Sequence, residues 1–399
     1  MWLIAGLFIW VLFHLIFLAH DYPAQLMELR RIWKYAGLGA LFAFGLGLSL
    51  ASLSSDDPSQ KNAKYYWSTI YFGLCLPVII YLVKYILTTY GGAVGISAPG
   101  CLRINFDGNS ACYIPKTDYI AFCLPVLALS LGKILNLITS GIYVKWYKSL
   151  ALCIPLLVIV SILFIFGIQN TKNGIAYSAI LIGLFLVLGF KKITLVKFWH
   201  KLFLLILVAM LGLTALNSTL QKNNSWETLI ADARTGFQID QFPQWRYAGE
   251  HSYPDNEYGQ MVSGTNYLRA AWLKAGLQLA TQNPLGYGLV EDSFKELVKA
   301  RWIDASPNLS HSHSGWLDLI LGIGFPGVFC IFWALLLNVR QCKGVRDPLK
   351  YMVFWTLSAN LILWVTTEVA ATTSFCLLVY WVSLSSGLTL KSGKRASLL

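Results

Sequence analysis

Apolar residues in this chain fall into long runs that are separated by short polar connections. Because a helix needs about 20 apolar residues to cross the hydrocarbon core of a bilayer, we predict about ten membrane-spanning helices. The runs cover residues 2–19, 36–54, 66–88, 119–143, 150–169, 174–190, 202–217, 315–338, 351–368 and 372–390. One long polar stretch, residues 218–314, separates the seventh run from the eighth. The pattern therefore predicts an all-α, polytopic integral membrane protein with one large loop.

Composition agrees with this class of protein. Of the 399 residues, 56% are hydrophobic and 13% are charged, and 14% are aromatic, as expected where helix ends meet lipid headgroups. We expect an N-terminal transmembrane bundle over residues 1–217, a large loop with amphipathic helices over 218–314, and C-terminal transmembrane helices with a tail over 315–399. The first apolar run has no basic region before it and no cleavage site after it, so we expect it to remain as a span.

The distribution of Lys and Arg predicts the orientation. The connections at 145–148, 191–201 and 339–350 and the tail at 391–395 are basic, and alternation of the spans places them on one face. The positive-inside rule assigns that face to the cytoplasm, so the large loop is expected outside. That loop holds more than half of the 19 acidic residues. The net charge of +12 is therefore a signal of topology and gives no support to nucleic-acid binding.

One connection departs from this rule. Alternation places residues 20–35, "HDYPAQLMELRRIWKY", outside, although they include Arg30, Arg31 and Lys34. Either a span between residues 66 and 144 is miscounted, or these cations meet an anionic group outside.

The large loop is rich in Trp, Tyr and Leu, so we expect it to fold. Residues 263–288 carry apolar side chains at helical spacing and end in the breaker "NPLGYG", and residues 291–302 repeat the helical pattern. These two amphipathic helices are expected to lie against the membrane-facing rim. No spacing of Cys and His typical of a metal site is present. Cys101 and Cys112 could form a disulfide if their stretch faces an oxidising compartment.

Three features together resemble the O-antigen ligase superfamily. They are Arg269-x-x-Trp272 on a helix, "NPLGYG" at 283–288, and His313-Ser314 followed by Gly-x-x-Gly at the start of a span. The similarity covers roughly residues 220–340, including "SWETLIADARTGFQID" upstream. The superfamily also includes O-antigen polymerases and bacterial protein O-oligosaccharyltransferases.

This resemblance implies a fold and an activity. The fold would be GT-C-like, with about 10–12 transmembrane helices and a partly helical periplasmic loop. The activity would be en bloc transfer of a glycan from undecaprenyl diphosphate to an acceptor hydroxyl, with inversion and without a metal or cofactor. The active site would face the periplasm from the bacterial inner membrane, in contact with membrane lipids.

Within that reaction His313 is our candidate general base, since a neutral imidazole accepts a proton as the new bond forms. The alternative is that His313 only caps the helix that begins near Ser314. His311 and His313, two positions apart, could bind a metal together with Asp304 or Asp318, but the family pattern contains only the second histidine, and we predict no metal. Ser314, Asp318 and His311 are possible supporting residues, and Asp318 is placed to complement the helix dipole and to orient His313.

Cations are expected to bind the departing diphosphate. Arg269 is the first candidate, because a guanidinium pairs with two phosphate oxygens at once. The family has a second Arg at the outer end of an earlier span, where this chain has Lys172. Arg30 and Arg31 are therefore rivals for the second contact. Glu368, in a short outer turn, is a further supporting candidate.

The glycines and the proline of "LGIGFPG" (Gly322, Gly324, Pro326 and Gly327) are predicted to bend the span and to let another helix approach closely.

The acceptor has no pattern that we can recognise in the sequence. Lipid A core is our first choice, a protein such as a pilin is second, and a growing O-antigen is third. A lipid or sugar transporter is the alternative from another class. It would require charged residues deep within spans, whereas Lys84 and Lys133 lie near predicted span ends, where snorkelling suffices.

Overall fold

The computed structural model describes residues 1–53, 60–96, 99–104, 114–139, 146–192, 227–342, 349–365 and 372–396. Helices dominate these residues, and β-pairing among them is limited to an isolated bridge between Asp255 and Met261. The prediction of an all-α polytopic membrane protein is confirmed.

The α-helices are numbered here in chain order. They are α1 (Trp2–Phe17), α2 (Tyr22–Glu28), α3 (Lys34–Leu53), α4 (Gln60–Tyr90), α5 (Lys116–Thr139), α6 (Trp146–Ile168), α7 (Lys172–Lys192), α8 (Leu229–Phe237), α9 (Gly264–Gln282), α10 (Ser293–Arg301), α11 (Gly315–Gln341), α12 (Leu349–Leu363) and α13 (Thr372–Ala396). A π-helical turn, Leu29–Trp33, joins α2 to α3, and short 3-10 turns occur at Gly91–Val94, Gly100–Leu102 and Pro243–Tyr247.

Six helical segments of the described residues are long and apolar enough to cross a membrane. They are Tyr22–Ser52, Tyr65–Val94, Asp118–Ile138, Lys172–Gly189, Gly315–Gln341 and Thr373–Leu390, and two shorter apolar helices cover Trp2–Phe17 and Leu152–Ile168. Each overlaps a predicted span, although Tyr22–Ser52 begins 14 residues before the predicted span at 36–54. The predicted span at 351–368 corresponds to α12, which has 15 residues, and the one at 202–217 lies outside the described residues. The predicted loop at 20–35 is instead mostly helical.

The chain divides into two compact units. The first comprises Met1–Leu41, Phe198–Leu335 and Trp364–Tyr380, and the second comprises Phe42–Lys197, Leu336–Leu363 and Trp381–Leu399. The second unit is built around α5, which packs on α4, α6, α7 and α12. The ammonium of Lys133 there lies over the Tyr71 ring, 4.5 Å from its centroid, and Lys84 is buried. The expectation that Lys84 reaches solvent by snorkelling is therefore wrong.

The first unit contains the part of the large loop that the structure describes. Its apolar core includes Trp245, Tyr267, Trp272 and Phe294 from the loop and Leu317 from the first turns of α11. A loop of this composition buries its aromatic side chains because their transfer from water is worth about 1.5–3 kcal/mol each. The loop and the beginning of α11 therefore share one core.

A break in α11 determines how the loop meets the span. Gly324 has φ 68° and ψ 176°, outside the helical region, and Pro326 follows without an N–H to donate. Carbonyl groups of the preceding turn consequently lose their helical partners. In an apolar environment each such group needs a new donor.

The segment Pro284–Gly288 supplies most of these partners. The N–H of Tyr287 donates to Leu321 O and that of Gly288 donates to Gly322 O, both at 2.7 Å, and Phe325 N donates to Pro284 O at 2.9 Å. From α1, the indole of Trp10 donates to Ile323 O at 2.7 Å. Backbone of the loop therefore pairs with backbone of the broken helix.

This pairing explains the glycines on both sides. A Cβ on Gly324 would lie 2.4 Å from the Leu285 carbonyl carbon, and one on Gly286 would lie 2.4 Å from Gly324 N. The prediction that these glycines bend the span is confirmed. The prediction that they admit another helix is wrong, since the loop segment before α10 occupies that space.

We expect Gly324→Ala to destabilise the first unit by about 3 kcal/mol or more. The alanine would have to adopt a positive φ, and its Cβ would clash with the backbone of Leu285. The matched control is Gly39→Ala in α3, where a Cβ would meet no atom within 4 Å and helix propensity improves. Thermal unfolding of both variants in detergent is the measurement. Equal melting temperatures for the two variants would contradict the packing described here.

Candidate functional site

His313 lies in the turn that enters α11. Its backbone is left-handed, with φ 58°, a conformation that costs a non-glycine residue about 1–3 kcal/mol and that is concentrated at functional sites. Its half-buried ring stacks on the indole of Trp272, with centroids 5.0 Å apart and planes 16° apart. The ring of His311 lies 4.3 Å away on a tilted plane. The unusual backbone therefore brings one imidazole against the aromatic face of α9.

Ser312 and Asp318 fix the shape of this turn. The buried carboxylate of Asp318 accepts a hydrogen bond from Ser312 N at 2.8 Å, and Ser314 N donates to Ser312 Oγ at 3.3 Å. Asp318 lies in the first turn of α11, as predicted, where a negative charge interacts favourably with the helix dipole. It also holds the residue immediately before His313. Asp318 can therefore orient the histidine through the backbone of the turn.

His311 has a different environment. Its Nδ1 lies 2.6 Å from the hydroxyl of Ser310. It also lines a small pocket that is partly open to solvent, together with Val290, Glu291, Asp292, Ser293, Phe294, Ser310 and Asp318. Glu291, Asp292 and Ser293 of this lining belong to the start of α10 and the chain before it. His311 therefore faces the α10 side of the turn.

Arg269 and Trp272 are neighbours on α9. They are separated by three residues, so they lie one helical turn apart on adjoining positions. Trp272 is buried and its indole donates to Trp245 O at 3.2 Å, and Arg269 is half-buried. Trp272 also stacks on His313, so Arg269 lies one helical turn from the residue whose indole contacts the imidazole. The structure thus brings the predicted base and the first predicted phosphate ligand to one end of α11.

Asp232 holds the beginning of α9 in place. This carboxylate is fully buried in α8 and accepts hydrogen bonds from Thr228 Oγ1 at 2.8 Å, Asn256 Nδ2 at 3.0 Å, Ser263 N at 3.2 Å and Asn266 Nδ2 at 3.0 Å. A buried carboxylate is tolerated when all its lone pairs have such donors. Three segments, namely α8, the chain near Asn256 and the start of α9, are therefore joined at one side chain.

Close packing of α8 on α9 supports the same region. A Cβ on Gly236 would lie 2.5 Å from Tyr267 O. The hydroxyl of Tyr267 donates to Phe242 O at 2.7 Å, and burial raises the pKa of Tyr267 to about 12. These contacts fix the helix that carries Arg269.

The segment at 20–35 lies against residues 287–291 of the large loop. Glu28 is buried and accepts hydrogen bonds from Val290 N at 2.7 Å and Glu291 N at 2.8 Å, and Arg31 forms an ion pair with Glu291. The ring of His20 stacks on Tyr287. Segment 20–35 and the loop therefore share one end of the spans, as alternation predicts. Glu291 is therefore an anionic partner for Arg31, one of the cations that depart from the positive-inside rule.

Polar contacts of α1 and α2 reinforce this junction. The imidazole of buried His14 lies 3.2 Å from Gly286 O, and Gln25 Nε2 donates to Tyr287 O at 2.9 Å. Sequence reasoning missed His14, Gln25, Glu28 and Asp232. A signal was present for Glu28 and Asp232, since each is an acid flanked by apolar residues at helical spacing.

The other predicted residues are distributed as follows. Arg30 and Arg31 are exposed on the π-helical turn of the first unit, and Lys172 is half-buried in the first turn of α7 in the second unit. Glu368 and Cys112 lie outside the described residues, and Cys101 is exposed.

Asp304, considered above as a third metal ligand, has other partners. It accepts a hydrogen bond from the Tyr247 hydroxyl at 2.8 Å, which with Arg246 holds the pKa of Asp304 below its usual range. Across the part of the chain that the structure describes, no group of three or more His, Cys, Asp and Glu side chains is arranged to hold a metal ion.

The fold and the site define a class of protein. It is a helical membrane protein in which a histidine lies at the start of an interrupted membrane-spanning helix, next to a loop helix that carries an arginine. A family model described as O-antigen ligase matches residues 156–332, somewhat less than half of the chain. The matched region includes α9, His313 and the break in α11, and it confirms the predicted resemblance to the O-antigen ligase superfamily. Comparison with curated proteins gave no significant match.

We expect Asp232→Ala to destabilise the loop by about 3–5 kcal/mol, because it leaves buried donors without an acceptor. Asp232→Asn keeps one acceptor oxygen and should lie between this variant and the wild type. The control is Asp240→Ala, at an exposed position of the same loop. Limited proteolysis of residues 227–314 is the measurement, and equal cleavage rates for Asp232→Ala and the control would rule out the joining role of Asp232.

Proposed function

We propose that this protein transfers a preassembled glycan from undecaprenyl diphosphate to an acceptor hydroxyl at the periplasmic face of the bacterial inner membrane. The acceptor in this proposal is lipid A core. One observation carries it: the left-handed His313, stacked on Trp272 one turn from Arg269, lies within the region that matches the O-antigen ligase model.

The chemical step needs a base on one side of the reacting carbon and a stabilised anion on the other. The acceptor oxygen attacks the anomeric carbon of the glycan as the bond from that carbon to the phosphate oxygen breaks. The hydroxyl proton passes to a ring nitrogen of His313, and the electron pair of the broken bond leaves with the diphosphate. Attack opposite the leaving group inverts the anomeric centre.

Stacking on Trp272 suits His313 to this role. The indole face fixes the plane of the ring, so that a nitrogen is held toward the incoming hydroxyl. Once the proton has been accepted, the ring is a cation over an aromatic face, an arrangement worth about 0.5–2 kcal/mol. The contact therefore stabilises the charged form that arises during transfer more than the neutral form before it.

Arg269 is proposed to bind the departing diphosphate. Its guanidinium can form two parallel hydrogen bonds to phosphate oxygens, and no proton transfer is needed to stabilise the leaving group. Of the rival cations, Arg31 has its charge offset by Glu291, and Lys172 offers a point charge without paired geometry. Arg30, in the same unit as Arg269, remains proposed as a secondary contact, whereas Lys172 belongs to the second unit.

We expect His313→Ala to lower kcat about 100- to 10,000-fold, the usual contribution of a general base, with little change in the KM for the donor. The measurement is release of undecaprenyl diphosphate by purified protein in the presence of an acceptor. Matched controls are His251→Ala, on the exposed surface of the same loop, and His311→Ala, whose ring is close but is not assigned the base role.

Full turnover by His313→Ala would refute the assignment of the base. Release of lipid diphosphate without any requirement for an acceptor would contradict the transferase proposal itself. A transporter would release none under any condition. Lipid A core, a pilin peptide and a second donor molecule, offered separately, distinguish ligation from protein glycosylation and from polymerisation.

We expect Arg269→Ala to lower kcat/KM by about 10- to 1,000-fold, as loss of a charged hydrogen bond to the leaving group requires. Arg269→Lys should recover only part of this loss, since an ammonium lacks the paired donors. The control is Arg234→Ala, an exposed cation of the same loop that pairs with Glu257. Wild-type kinetics for Arg269→Ala would remove it from the diphosphate site.

A further inference from the structure

Helix α9 carries an exposed apolar stripe that starts at Arg269. Leu273 and Leu277 follow Arg269 at intervals of four residues, so the three lie on one face of the helix. Both leucines are exposed, whereas the opposite face, which includes Trp272, is buried in the loop core. Arg269 therefore lies at the N-terminal end of an exposed apolar surface.

The direction of α9 is set by its contacts with α11. Trp272 stacks on His313, a Cβ on Gly276 would touch the Leu317 side chain, and Leu285 packs on Gly324. The α11 partners of Trp272 and Gly276 follow one another in the same direction as these two residues, so α9 runs parallel to the first half of α11, and residues 284–288 after it turn back along α11. The helix therefore descends alongside a candidate membrane span.

The depth of this descent can be estimated. Gly324 lies about 13 Å along the helix axis from Gly315, at about 1.5 Å per residue. Headgroups occupy only about 5–8 Å on each side of a hydrocarbon core about 30 Å thick. With Gly315 at the headgroup surface, Leu285 reaches the hydrocarbon of the leaflet that holds the site. Arg269, one turn before the level of His313, stays at the headgroups.

The apolar stripe continues onto α11. Phe325 N donates to Pro284 O, so Leu285 and Phe325 are neighbours, and Phe329 follows Phe325 at a helical interval of four. Leu273, Leu277, Leu285, Phe325 and Phe329 have between 37% and 58% of their surface exposed. The stripe thus leads from Arg269 toward the interior of the bilayer along the membrane-facing surface of α11.

We propose that this stripe holds the polyprenyl chain of the donor while Arg269 holds its diphosphate. The inference rests on the proposed function and adds a site for the lipid part of the substrate. Charge and polarity both support this occupant: an anionic diphosphate joined to a long apolar chain matches a cation followed by exposed leucines. Ordinary bilayer lipid would contact these leucines without a dependence on donor chain length.

The test compares two donors that carry the same glycan on diphosphate. One has the full-length undecaprenyl chain, and the other has a chain of two isoprene units. We expect Leu277→Ser, and more strongly Leu273→Ser with Leu277→Ser, to raise the KM for the full-length donor about tenfold or more, since apolar contact area is lost. The kcat for this donor and the KM for the short donor should stay unchanged.

The matched control is Ile9→Ser on α1, an exposed apolar position of the same unit that lies off the stripe. It should change neither KM, and unchanged melting temperatures of all variants in lipid nanodiscs show that they fold. Equal KM changes for both donors, or an unchanged KM for the full-length donor in the double variant, would overturn the inference while leaving the transferase proposal intact. Absence of acceptor-dependent turnover in the wild-type protein would instead refute the proposed function.

Discussion

The arrangement of the site depends on an exchange of backbone hydrogen bonds at the break in α11. Gly324 and Pro326 interrupt the helix, and the N–H groups of Tyr287 and Gly288 replace the donors that the helix has lost. In a membrane-spanning segment a carbonyl without a donor costs several kcal/mol, so this replacement is a requirement of the fold. These hydrogen bonds attach residues 287–288 of the large loop to a fixed position along α11. The position of α9, and with it Trp272 and Arg269, follows from this attachment.

Two further anchors make the site rigid. Asp232 joins α8, the chain near Asn256 and the start of α9, and Glu28 joins α2 to Val290 and Glu291 beyond the NPLGYG segment. Both acids are buried and both are used as acceptors for backbone or amide donors, which is how a buried carboxylate avoids an uncompensated desolvation cost. The left-handed conformation of His313 is held between these anchored elements. Strain of this kind persists only where the surrounding structure determines it.

The sequence predicted the features that follow from periodicity and composition. The apolar runs correspond to helices wherever the chain is described, and the amphipathic patterns at 263–288 and 291–302 correspond to α9 and α10. The resemblance to the O-antigen ligase superfamily, found from Arg269, His313 and the glycines, agrees with the family match. Local patterns suffice here because each feature is encoded within one or two helical turns.

Other features depend on pairs of segments far apart in the chain. The pairing of His14 and Gln25 with the segment at 286–287, and of Glu28 with Val290, joins residues more than 250 positions apart, and no local pattern specifies such partners. For the same reason the glycines at 322 and 324 predicted a close approach without indicating that the loop backbone makes it. The stacking of His313 on Trp272 likewise follows from the tertiary attachment of α9 to α11.

The most direct measurement is an experimental structure of the protein in nanodiscs with a non-hydrolysable undecaprenyl diphosphate glycan bound. A donor site at the end of α11 requires density for the diphosphate within hydrogen-bonding distance of Arg269, with the anomeric carbon facing the ring of His313. Diphosphate density away from both residues, for instance beside Lys172 alone, would contradict it.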